Sequence, residues 1–143
     1  MNQPIHLAWG SGDVAWDAQR TDPSTGATDL EAEVGRRKVT QTMYCTPKSD
    51  GEIIVSQGRF TASVAPTKYL YLRFAYDFTD GAQATIRELG VFVGSQVSAT
   101  PASPDYFLPA EVTSKGQLLV LEHIDKLVRS QNIRQQFEFV IQF

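Results

Sequence analysis

Cys45, His6 and His123 are the residues of this chain best suited by type to nucleophilic or general-base chemistry. A nucleophile needs a base within hydrogen-bond reach and donors placed where charge develops. Cys45 has no elbow, glycine-rich cradle or oxyanion-type motif beside it. As the single cysteine it closes no intrachain disulfide and has no second thiol for zinc. The histidines are far apart and outside any metal-ligand spacing. His123 follows Glu122 on an apolar run, where a satisfied or surface imidazole is the ordinary outcome. Asp13, Asp17 and Asp22 gather oxygens without the spacing or bidentate glutamate of a calcium loop. No glycine-rich segment has phosphate-loop spacing. These residues predict no enzyme, no metal and no cofactor, with Cys45 a buried, inert thiol.

The more informative charges are adjacent. Arg87-Glu88 precedes Leu89-Gly90-Val91-Phe92-Val93, so opposite charges stand at the mouth of a buried strand, with Gly90 where a side chain would obstruct. Neighbouring strand residues point to opposite faces, so the two cannot serve one side without a bend. The expected arrangement is a structural clamp of Arg36, Arg37, Arg87 and Glu88, in which Glu88 meets an arginine of the 36–37 pair.

Those residues need a scaffold, and the totals allow one. A chain of 143 residues, 42% hydrophobic and 20% charged, fits a single globular domain over 1–143. Net charge is −3 and the only basic run is Arg36-Arg37-Lys38, which gives nucleic acid no positive face. No window has the apolar length for a membrane span, and the start has no charged n-region followed by an apolar h-region. Synthesis in the cytoplasm is the expectation.

Period-two patterns predict mainly antiparallel β, a sandwich-like domain with one or two short helices. Residues 1–27 read as an extended, turn-rich segment containing Trp9 and Trp16. Thr28-Asp29-Leu30-Glu31 resembles a capped helix start that Gly35 stops early. Arg37 to Cys45 reads as one strand, followed by strands at 52–55 and 59–64. Tyr69 to Phe78 reads as the central strand, with Leu70, Leu72, Phe74, Tyr76 and Phe78 alternating on one face. Burying that set contributes on the order of 8–12 kcal/mol. Tyr69, Tyr71 and Arg73 lie on the other face and are expected to contact a partner. Residues 94–109, with three prolines and Tyr106-Phe107, read as a long loop. A short strand buried on both faces follows at 118–122. Residues 125–136 have helical composition interrupted by Ser130 and Asn132. The last strand, 135–143, places Phe137, Phe139, Ile141 and Phe143 on one face.

Three blocks in order resemble the N-terminal domain of phage tail-collar fibre proteins. They are Leu7 to Asp13 with Gly10-Ser11-Gly12-Asp13, Thr28 to Arg36, and Ile86-Arg87-Glu88-Leu89-Gly90-Val91-Phe92. The whole chain, including residues 118–124 and the Phe-rich end, also resembles small tail proteins of Mu-like and other siphophages and prophages. The resemblance implies a structural subunit of a phage tail or baseplate that attaches fibres through protein–protein contacts. Because residues 1–143 hold no shaft or tip, it implies the docking part alone. It further implies a virion location and assembly in several copies, as a trimer or ring, with other tail, baseplate or fibre proteins. The contact residues expected are Trp9, Trp16, Tyr69, Tyr71, Arg73 and Tyr106, since aromatic anchors dominate interfaces. Two other readings stay open: a carbohydrate-binding β-sandwich module that stacks sugars on Trp and Tyr, and a tail terminator or head–tail connector. A hydrolase built on Cys45 and a histidine is the enzymatic alternative.

Overall fold

The computed structural model describes residues 3–143, and its fold is mainly antiparallel β. The chain divides into two compact units. One holds residues up to Lys38 with Tyr76–Arg134; the other holds Val39–Ala75 with Gln135–Phe143.

In the first unit a five-stranded sheet forms around β1 (Ile5–Gly10). β1 pairs antiparallel with β2 (Glu33–Lys38) on one side and β7 (Thr85–Val93) on the other. β11 (Gln117–Val128) extends the sheet beyond β7, and β9 (Tyr106–Phe107) beyond β2. β8 (Gln96–Val97) and β10 (Val112–Ser114) form a separate two-stranded ladder. All six residues of β1 are buried, so it is the middle strand of its sheet and not part of an extended turn-rich segment. Its pattern is diluted by His6 and Gly10, which hides a strand flanked on both sides.

The second unit is one five-stranded sheet in the order β12 (Gln135–Gln142), β6 (Tyr69–Tyr76), β3 (Gln41–Pro47), β5 (Gly58–Ala62), β4 (Ile53–Val55). The middle strand is therefore β3, not β6. The two edge strands, β4 and β12, come into contact, so the sheet curls around Cys45, Ile53, Phe60, Tyr71 and Val140. On the other face of β6, Leu70, Leu72 and Phe74 are buried, and Phe74 meets Phe139 edge-on at 6.2 Å. Tyr76, the last β6 residue, belongs to the first unit and stacks on Trp9 at 3.6 Å. Phe78 lies beyond the strand end and is 38% exposed, so four of the five alternating residues are buried.

Several local expectations give way. No helix forms at 28–35. Asp29 Oδ1 accepts the Leu30 N–H at 2.8 Å, and a β7 carboxylate takes those of Glu31 and Ala32, so the first-turn donors are committed elsewhere. Among the described residues the helical content is two 3-10 turns, Val14–Asp17 and Pro109–Glu111. The run 37–45 is broken at Val39-Thr40 into β2 and β3, which lie in different sheets. The strand expected at 118–122 extends to Val128 and has a neighbour on one side only, leaving Leu119 and Val128 exposed. Residues 129–134 are the turn, fastened by the buried Arg129 guanidinium, which donates to the Asp77, Asp80 and Ile133 carbonyls. The 94–109 loop is pinned through β9, with Arg36 opposite Phe107 and Arg37 opposite Tyr106.

Candidate functional site

Glu88 is fully buried, and its carboxylate joins three separate stretches of chain. Oε1 accepts the Glu31 N–H at 2.8 Å; Oε2 accepts those of Ala32 at 2.8 Å and Gly12 at 3.1 Å. Charge-assisted bonds to backbone donors are the strong kind. The three sequence blocks around Gly12, Glu31 and Glu88 therefore converge on a single side chain. Arg87, its neighbour on β7, has other partners: it grips both Asp17 oxygens at 2.8 and 3.0 Å and donates to the Ser11 carbonyl. The bonds from Arg87 hold the Asp17 carboxyl below the usual carboxylate range.

The expected Glu88–arginine pairing is absent because each arginine is committed nearer by. Arg36 is fully buried, forks onto Glu33 at 2.6 and 2.9 Å, and also donates to Ser95 Oγ and the Lys115 carbonyl. Its guanidinium lies 4.2 Å from the centre of the Phe92 ring. Arg37 pairs with Asp80 at 3.1 Å. Gly90 meets the expectation of a close approach: a β-carbon there would lie 2.6 Å from Leu30 Cδ1.

Of the residues expected to face a partner, Trp9, Tyr71 and Tyr106 are instead buried within their own units. Trp9 Nε1 donates to the Tyr106 hydroxyl at 2.9 Å, which satisfies an indole that no water reaches. Tyr71 belongs to the cluster inside the curled sheet, because the curl turns that face inward. Trp16 is half-buried, stacked on His123 at 3.9 Å, while the His123 ring contacts the Thr21 carbonyl. Arg73 is half-exposed and bonded to Gln41 and Gln136. Cys45 is fully buried, and burial pushes its thiol up, away from the reactive thiolate.

Tyr69 keeps an open position. With Phe60 and Val140 it floors a cavity of about 380 Å³ at one end of the curled sheet. The exposed Gln57, Arg59 and Gln142 stand on its rim, and the Lys68 ammonium lies 5.6 Å from the Tyr69 ring centre. This unit carries Lys48, Arg59, Lys68 and Arg73 against Asp50, Glu52 and Glu138, one net positive charge in a chain of −3. Sequence reasoning missed this mouth, although the spacing of cations around Phe60 and Tyr69 was visible.

The described residues define a mainly antiparallel β protein whose buried ion pairs fasten its own strands and loops. The chain matches the family described as Baseplate wedge 3 tail fiber network component over residues 1–143, and it belongs to that family. It is a structural subunit of a phage tail baseplate, with other tail proteins as its partners. No curated protein matches it.

Proposed function

We propose that this chain is a non-enzymatic docking subunit that attaches tail fibres at the baseplate and assembles in several copies. The carrying observation is the Glu88 junction. It unites the same three blocks that resemble the docking domain of tail-collar fibre proteins, which supports a shared attachment role rather than a chance likeness of one motif. Contacts are made by side chains that remain exposed or half-exposed, Trp16, Tyr69 and Arg73 among the expected ones. Large exposed apolar residues such as Val14 and Ile54 add surface whose burial against protein is favourable. No bond is made or broken in this role.

Native mass spectrometry of the purified chain, alone and mixed with the other proteins of its baseplate, tests the reading. A defined multimer and a defined complex are expected. A solitary monomer that joins no tail protein, or a chain missing from purified virions, overturns it.

A further inference from the structure

The exposed end of the 94–109 loop region and the mouth beside Tyr69 are complementary in polarity and charge. Leu108, Pro109 and Ala110 are exposed in succession, Leu108 at 51%. The tip is held out rather than loose. Glu111 accepts the Leu108 N–H at 2.9 Å with one oxygen and the Ala102 N–H at 2.8 Å with the other. The Glu111 N–H in turn donates to the Leu108 carbonyl at 2.9 Å. Pro109 restricts φ, and the preceding Tyr106 and Phe107 are buried. Such preorganisation removes much of the ordering cost of docking. The backbone bonds hold the Glu111 carboxyl below its usual range, and Asp105, three residues before Leu108, is exposed. The tip is therefore an apolar knob flanked along the chain by two acids.

The mouth is its complement: an aromatic and aliphatic floor of Phe60, Tyr69 and Val140, with Arg59 on the rim donating to the Gly51 carbonyl, and with the Lys68 ammonium just outside the lining, against the Tyr69 ring. The charge asymmetry extends to the whole units, since the one bearing the knob has nine cations against thirteen acids. We propose that the Leu108–Ala110 knob of one copy seats in the Phe60–Tyr69–Val140 mouth of a second copy, with Asp105 and Glu111 facing Arg59 and Lys68. This rests on the reading that the chain assembles in several copies, and names the contact. Each copy offers one knob and one mouth, so the contact is heterologous and propagates from copy to copy.

Sedimentation of the full chain across protein and salt concentration tests this. Multimers that weaken as salt rises are expected. Leu108→Asp removes the knob, and Gln57→Glu with Lys68→Glu reverses charge at the mouth; both alter exposed residues, and circular dichroism checks their folds. Each variant alone should self-associate at least about tenfold more weakly, as for loss of an anchor residue. Mixed together they retain one good knob and one good mouth, and a heterodimer that grows no further is expected. Leu108→Cys with Gln57→Cys should give a disulfide-linked ladder under mild oxidation. Multimers unchanged in both variants overturn this contact and leave the assembly reading standing. Mixed variants that stay monomeric, or a ladder that does not form, also overturn it. A wild-type chain monomeric at every concentration overturns both.

Discussion

Gly10 lies across the β1–β7 ladder from Glu88, and a β-carbon at position 10 would sit 2.5 Å from Glu88 Oε2. The carboxylate occupies the space that a side chain at position 10 would take, from which it reaches the loops at 12 and 31–32. Gly10→Ala should cost about 2 kcal/mol by displacing it, and Glu88→Gln about 3 kcal/mol by presenting an amide to buried donors. Because both disturb the Glu88 carboxylate, the double variant should fall short of additive, while the 2.6 Å approach of the new β-carbon to the Ala32 carbonyl oxygen costs the same in either background. Urea denaturation of the four-member cycle checks this.

The Arg87–Asp17 fork fastens the 3-10 turn at 14–17, while Arg20 behind it has only a solvent-exposed pairing with Asp125. Asp17→Asn should let that segment open locally with little change in global stability. Trypsin cleavage after Arg20 should then be faster than in the parent, and cleavage at other sites should not.

His6 titrates with a folded pKa lowered to about 4, through burial first and then the nearby Arg36 and Lys38 charges. The unfolded imidazole takes its proton near its ordinary value of 6.5. Between these values the unfolded state binds more protons, so stability falls as pH drops from 6.5 towards 4 and is unaffected by this group above 6.5. The loss is about 3 kcal/mol at the acid end. His6 Nδ1 is also buried without a hydrogen-bond partner. His6→Leu should therefore remove that part of the pH slope, measured as urea midpoints from neutral to acid pH. An unchanged slope would refute the assignment.

Arg36 is placed to show how arginine and lysine differ. Its fork holds Glu33 while further donors reach Ser95 Oγ and the Lys115 carbonyl. Arg36→Lys keeps the charge but cannot make this set, and a loss of about 3 kcal/mol is expected. Thermal unfolding checks it, and near-equality with the parent would show that a compact ammonium suffices.

The legible parts of this chain were those whose signal is local. Alternation in β6 and the charge-then-glycine order of β7 each follow from a period of two and from backbone sterics, which a short window contains. β1 escaped the same reading because its burial comes from β2 and β7 on either side, not from its own alternation. The segment 28–35 carries a sound helix start, yet a carboxylate from residue 88 takes two of its donors. Tyr71 and Tyr69 share a face, but only the curl of the second sheet decides that one is enclosed and the other borders a cavity.

By itself, then, the order of amino acids determined a mainly β chain, the strong strands and the absence of motif-level signs of catalysis, because propensity and periodicity act over a few residues. Tertiary structure alone decided which charges are fasteners and which aromatics stay accessible. Those outcomes depend on partners as far apart as Trp9 and Tyr106, and Coulombic and packing energies are set by distance in space rather than along the chain.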